Sequence, residues 1–198
     1  ISCMCTYVNR KKALGDGLRL SQSMTYKAAV AGLNLGGGKA VIIGDSRTQK
    51  SEELFRAFGR FVEGLSGRYI TAEDVGTNVK DMEYVMMETR NVTGIPIELG
   101  GSGDPSPVTA YGTYVGMKAC AKEVYGNDSL ENKKVVVQGA GGNVGRHLCN
   151  SLHKEGAKIY VRDIYEDKLK SLVNDYGAEI ISVDDVYSFD ADIFSPAP

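Results

Sequence analysis

A chain of 198 residues with a formal charge of -2, 42% hydrophobic and 24% charged, has room for one ordinary domain or two small ones. Its composition is that of a soluble globular protein, not of a disordered or fibrous one. Acidic and basic residues are interleaved without a basic stripe, and no apolar run approaches the ~20 residues that span a bilayer, which excludes nucleic acid and membrane as partners.

The chain opens on "ISCMCTY", without an initiator Met or a leader-like stretch, and closes on "DADIFSPAP" as a strand finishes; it is read as an internal piece of a longer protein. Cys3, Cys5, Cys120 and Cys149 show neither disulfide-framework nor zinc-type spacing. They are expected to be buried thiols of a reducing, cytoplasmic compartment, with no metal site. From residue 11 to 30, Ala13, Leu14, Leu18, Met24 and Ala28 recur at helical spacing. The glycine loop "GLNLGGGK" leads into "AVII", expected as a short buried strand. Residues 51–65 predict an amphipathic helix, with Ser51 as N-cap and Leu54, Phe58, Phe61, Val62 and Leu65 on its apolar face. "RYITAEDVGT" reads as a strand ending in an acidic loop, and "VKDMEYVMMET" as another helix.

The stretch "GGSGDPSP" (100–107) is the linker, rich in Gly, Pro and Ser, and it divides the chain into 1–105 and 106–198. Ser106 as N-cap and Pro107 as first helical residue open a helix over 107–125 that Gly126 stops. Strand 134–138, helix 143–155, strand 158–163, helix 165–176, strand 179–182 and a short strand near 191–194 follow. The fold class is therefore α/β, the second half beginning a parallel, doubly wound sheet.

Two glycine turns carry the chemistry. "VVVQGAGGNVGRHL" follows a buried strand and opens a helix, the context in which glycines let a backbone approach a pyrophosphate at a helix N-terminus. Asp163, 21 residues after Gly142, ends the next strand where a carboxylate accepts hydrogen bonds from an adenosine ribose, which favours NAD over NADP. The turn is one residue longer than the usual pattern, with Val144 where Gly139-x-Gly141 calls for a third glycine, so which glycines face the phosphates stays open. A plain tight turn in a nucleotide-free domain is the bland alternative.

The first turn, "GLNLGGGK", fails as a P-loop on three counts. Leu33 stands where the first glycine belongs, Ala40 replaces the hydroxyl residue, and a strand follows instead of a helix. Lys27 precedes Lys39 by twelve residues, so two ammonium groups can converge on one cleft, where repulsion and burial both disfavour their protonation. Glu73 and Asp74 in "TAEDVGT" offer the acid that orders such a site. Both histidines, His147 and His153, lie in the second half, so lysine has to do the acid–base work in the first.

In this order, "MTYKAAVAGLNLGGGKAVIIGD", "ITAEDVGT" and "PSPVTAYG" closely resemble the amino-acid dehydrogenases of the glutamate/leucine/phenylalanine/valine group, and "GLNLGGGK" its leucine-specific members most. The resemblance implies an N-terminal catalytic and oligomerising domain and a Rossmann-type NAD domain. The implied reaction is reversible oxidative deamination of a branched-chain L-amino acid, leucine first, to its 2-oxo acid and ammonia, in a homo-oligomer. Lys27 would bind the substrate carboxylate, with Gly37 and Gly38 lining the substrate pocket. Lys39 would be the catalytic lysine that activates water, and Asp74 would handle protons at the amino group. Thr109 would sit near the nicotinamide; Gly139, Ala140, Gly141, Gly142, Asn143, Val144, Gly145 and Asp163 would hold the adenosine half. A valine or phenylalanine dehydrogenase of the same family, and a non-catalytic NAD-binding protein of the same fold, are the alternatives.

Overall fold

In the computed structural model, which describes residues 1–197, the chain divides into two units, Ile1–Asp104 and Pro105–Pro198. The first unit is built around a short parallel pair of strands. β1 (Ser2–Cys5) and β2 (Ala40–Ile43) pair in register from Ser2 opposite Ala40 to Cys5 opposite Ile43. A parallel pair needs a crossover, and α1 (Arg10–Val30) supplies it. Asn9 caps α1 by accepting from the Lys12 N–H.

The other edge of β1 is covered as well. The Ser2 N–H donates to the Ala72 carbonyl at 2.8 Å and the Met4 N–H to the Val75 carbonyl at 3.0 Å. Residues 72–75 therefore run beside β1, but the strand expected there reduces to one parallel bridge, Thr71 opposite Val92. The acidic loop breaks the extended run: Asp74 takes its own hydrogen bonds from the backbone, at the expense of the ladder. β2 is half-exposed and not buried as its apolar letters suggest.

α2 (Glu52–Glu63) starts at Ser51, whose side chain accepts from the Leu54 N–H, and α3 (Val79–Met86) starts at an Asn78–Asp81 capping box. The two helices pack over Met4 in a core with Phe55, Met82 and Val85. The buried stripe of α2 is Phe55, Gly59 and Val62, with Leu54 and Phe58 packed beside it; of the expected face only Phe61, 76% exposed, turns to solvent. Gly59 lies at the centre of that stripe. A Cβ there would lie 2.8 Å from the Val85 carbonyl, so α3 rests on the glycine itself. Fully burying Phe55 contributes about 1.5–3 kcal/mol.

In the second unit, α4 (Ser106–Tyr125) begins one residue earlier than expected. Pro105 holds the cap position and Ser106 is the first helical residue, while Gly126 ends the helix with φ 77°. β3 (Lys134–Gln138), α5 (Asn143–Lys154), β4 (Lys158–Arg162), α6 (Lys170–Tyr176), β5 (Glu179–Ile180) and β6 (Ile193–Pro196) follow in alternation. The helix expected over 165–176 splits into a 3₁₀ turn, Glu166–Leu169, and α6.

All four strands are parallel, in the order β5-β4-β3-β6. β3, buried through Val135, Val136 and Val137, is the central strand on which the order reverses. α4 and α5 cover one face of the sheet, with Met117, Ala121, Leu148 and Leu152 packed on Val135 and Val137. This is a Rossmann-type half. In such sheets ligands bind beyond the carboxyl ends of the strands where the order reverses. Of the four thiols expected to be buried, Cys3 and Cys149 are, Cys5 is half-buried, and Cys120 is exposed on α4.

Candidate active site

Lys39 is the last residue before β2, and Asp74 lies in the segment on the far edge of β1. Their side chains meet in an ion pair that reaches across that strand. The lysine side chain is 1% exposed, and the aspartate side chain 28%. A buried charge is expensive unless it is paired and hydrogen-bonded, and both conditions are met. Asp74 Oδ1 accepts from the Val75 N–H at 2.7 Å, and its own N–H donates to Thr77 Oγ1 at 2.8 Å. Thr77 in turn reaches the Ser2 carbonyl, tying the acidic loop to β1. One carboxylate oxygen is thus held by backbone and the other by the ammonium group.

Of the two acids in "TAEDVGT", Asp74 is the one on the lysine. Glu73 turns to Asp104 instead. Burial, then the negative charge of Asp104, push its carboxyl up to about 7.

The glycine loop reaches Lys39 by lying directly on α1. The Gly37 N–H donates to Thr25 Oγ1 at 2.9 Å, and a Cβ on Gly37 would stand 1.8 Å from the Ser21 carbonyl oxygen. Gly38 lies against the ring of Tyr69, whose hydroxyl accepts from the Ala40 N–H at 3.2 Å. Lys27 is exposed in the last turn of α1, and no acidic side chain pairs with it among the described residues. The partner of Lys39 is therefore Asp74, with Lys27 left in water. Thr25 and Tyr69, which fix the loop, were not picked out from sequence. A threonine two residues before a lysine and a tyrosine in a stretch that reads as a strand give no signal of their own.

In the second unit, the 139–145 turn joins β3 to α5. The Gly139 and Ala140 N–H groups both donate to the Arg162 carbonyl, at 2.7 and 3.2 Å, and Gly139 has φ 78°. A Cβ on Gly145 would stand 2.5 Å from the Gly139 carbonyl oxygen. The tight-turn position is thus Gly139 and the close helix–strand contact is Gly145. The extra residue is accommodated between them. Gly142 is the N-cap of α5 and makes no side-chain cap, so the first N–H groups of α5, from Asn143 and Val144 onward, face out of the turn.

Asp163 is 8% exposed and already engaged. Its Oδ2 accepts from the Gly141 N–H at 2.9 Å and its Oδ1 from the Tyr165 N–H at 2.9 Å. Arg146, from α5, donates to the Gly141 and Lys168 carbonyls, each at 3.2 Å. Thr109 is exposed in the first turn of α4. A glycine turn with a positive-φ first residue, an uncapped helix N-terminus and a carboxylate at the end of the next strand fit a dinucleotide.

A buried lysine–aspartate pair in one α/β unit is thus followed in the chain by a Rossmann-type unit whose glycine turn fits a dinucleotide. The comparisons identify the family. Residues 4–91 match the family described as Glu/Leu/Phe/Val dehydrogenase, dimerisation domain, and residues 100–165 match Glutamate/Leucine/Phenylalanine/Valine dehydrogenase. The leucine dehydrogenase of Bacillus subtilis (strain 168) is 58% identical over 193 residues, covering 98% of this chain and 53% of that protein. The phenylalanine dehydrogenase of Lysinibacillus sphaericus is 46% identical, covering 98% of this chain and 52% of that protein. Among solved structures, the L-tryptophan dehydrogenase of Nostoc punctiforme superposes with a TM-score of 0.65 at 39% identity, over 99% of this chain and 54% of that one. The chain spans about half the length of the curated relatives it matches. It belongs to the glutamate/leucine/phenylalanine/valine dehydrogenase family.

Proposed function

We propose that this chain carries the catalytic pair and the dinucleotide turn of an NAD-dependent dehydrogenase that oxidatively deaminates a branched-chain L-amino acid, leucine first. The observation that carries the reading is the Lys39–Asp74 pair, buried and aligned by backbone hydrogen bonds in a unit without histidine. The identity to leucine dehydrogenases, 55–58% against 46% for a phenylalanine dehydrogenase, favours leucine.

The chemistry supplied by NAD would be that of a hydride acceptor for the substrate α-carbon. The residues of this chain do the rest. Lys27, solvated and unpaired, binds the substrate carboxylate. Asp74 accepts a proton from the substrate ammonium group. The Lys39 ammonium orients by hydrogen bond the water that adds to the resulting iminium carbon, and the proton of that water passes to solvent. Asp74 then returns its proton to the nitrogen as the C–N bond breaks, and the hydroxyl proton passes to solvent as the 2-oxo group forms. Ammonia and the 2-oxo acid leave. The uncapped start of α5 would hold the pyrophosphate, and Asp163 would offer the ribose the lone pairs left beyond the two it gives to the turn. Thr109, exposed at the start of α4, would contact the nicotinamide half. The first unit serves as the association surface of a cytoplasmic homo-oligomer, in keeping with the dimerisation domain it matches.

The lengthened turn was the ground for a non-catalytic reading. With Gly139 and Gly145 both in their packing roles, that ground is weak. The test is absorbance of reduced nicotinamide when full-length protein and NAD are mixed with leucine, valine, isoleucine, phenylalanine or glutamate in turn. A rise with the branched-chain substrates supports the proposal. A flat trace with all five, from protein that binds NAD, overturns it in favour of a binding protein.

A further inference from the structure

The residues that join the two lysines are as informative as the lysines. After α1 ends, the Gly32 and Leu33 N–H groups close on the Ala29 and Ala28 carbonyls, at 3.1 and 2.9 Å. The chain then doubles back along the helix as far as Ser21 and Thr25. There the Gly37 N–H donates to Thr25 Oγ1 at 2.9 Å, while the Thr25 hydroxyl donates to the Ser21 carbonyl at 3.2 Å. Among the described residues, this is the one side-chain hydrogen bond between loop 32–38 and α1. Lys27 stands two residues after its acceptor, and Lys39 two residues after its donor.

We propose that Thr25 is a positioning residue, a clasp whose hydroxyl sets the separation between the carboxylate-binding Lys27 and the water-activating Lys39. This rests on the function proposed above and deepens it. Thr25 touches neither substrate nor cofactor. It acts through the loop it holds, and the fit is already tight, because a Cβ on Gly37 would stand 2.4 Å from the Thr25 nitrogen and 2.5 Å from its Oγ1. The hydroxyl is on the exposed side of α1, so deleting it opens no core. What it leaves is a backbone N–H without its partner and a loop free to lift from the helix.

The experiment compares Thr25→Val, isosteric but without an acceptor, with Thr25→Ser, which keeps it, in full-length protein. Thr25→Val should lower kcat/KM for leucine about 10- to 100-fold, as a misplacement of about 1 Å would, with KM for the amino acid rising and NAD affinity unchanged. Thr25→Ser should recover most of the loss. Amide hydrogen exchange supplies a readout independent of turnover: in the wild-type protein the Gly37 N–H should be protected while the Gly36 N–H exchanges freely.

Wild-type kinetics in folded Thr25→Val overturns the proposal, as does Thr25→Ser no better than Thr25→Val. Equal exchange at Gly36 and Gly37 overturns it whether or not the valine variant folds. Should wild-type protein show no amino-acid-dependent activity, the proposed function falls first, and the Gly37 exchange still tests the clasp by itself.

Discussion

Lys39 and Asp74 stand 35 residues apart in sequence and on opposite sides of β1, yet their charged groups are in direct contact, the lysine side chain 1% exposed. Each is the other's solvent. The pairing makes a first prediction. Lys39→Ala should abolish most turnover, with a loss of about 10²–10⁴-fold, while NAD binding survives because the dinucleotide turn lies in the other unit. Steady-state rates beside a fluorescence titration of NAD would check both halves, and a variant with normal turnover removes Lys39 from the chemistry.

Asp163 makes a second prediction. Its two oxygens serve the Gly141 and Tyr165 N–H groups, so it holds the turn before any nucleotide arrives. Asp163→Ala should cost about 1–3 kcal/mol of unfolding free energy in the absence of nucleotide, through the donors left unpaired. Urea unfolding without NAD measures it. Unchanged stability would leave the carboxylate a role in ribose binding alone.

Glu73 makes a pH-dependent prediction. Its carboxyl is raised from 4.5 to about 7, by burial first and then by Asp104, with Asp81 and Asp74 pushing the same way. Lys39 and Lys50 are spent on Asp74 and Asp81 and do not offset this. A raised acid binds more protons in the folded state than in the unfolded one between these values. Stability contributed by Glu73 is therefore full below about 4.5 and lost as pH rises through about 7. Denaturation of wild type and of Glu73→Gln across that window should show a decline in the first that is shallower in the second. Parallel curves would sink the assignment.

A fourth prediction concerns packing away from the site. Gly59→Ala should destabilise the first unit by about 1–3 kcal/mol, because the new methyl would press on the Val85 backbone at 2.8 Å and on Glu88 Cβ at 3.0 Å. Thermal melting would show it, and a neutral result would mean that α3 shifts freely.

The same glycine shows what the sequence could and could not convey. Apolar spacing located α2 and placed Leu54, Phe58 and Val62 on its packed side, but it put Phe61 there too and passed over Phe55 and Gly59, since periodicity counts side chains and gives no weight to a position where the absence of one brings two helices together. Long helices such as α1 and α4, the second stopped by Gly126, were readable from local rules, while the Asn9 cap of α1 was not. So were the βα alternation of the second unit and the placing of Asp163 at a strand end. The run at 69–76 was not, because its acidic loop competes with the ladder for hydrogen bonds. At the site, residue types named Lys39 and an acid. The family resemblance chose Asp74 over Glu73; residue types alone did not, and finding Thr25 beneath the glycine loop required knowing which segment lies beside α1.

The position of β1 has a consequence for how the molecule becomes competent during folding. β2 takes one edge of that strand and residues 72–75 the other, so Lys39 and Asp74 come to face each other only when both edges have been filled. Neither neighbour alone brings the two charges together. A refolding chain would then regain helical signal from α1 and α2 first, and the contact between Lys39 and Asp74 last, as the closing event of sheet assembly.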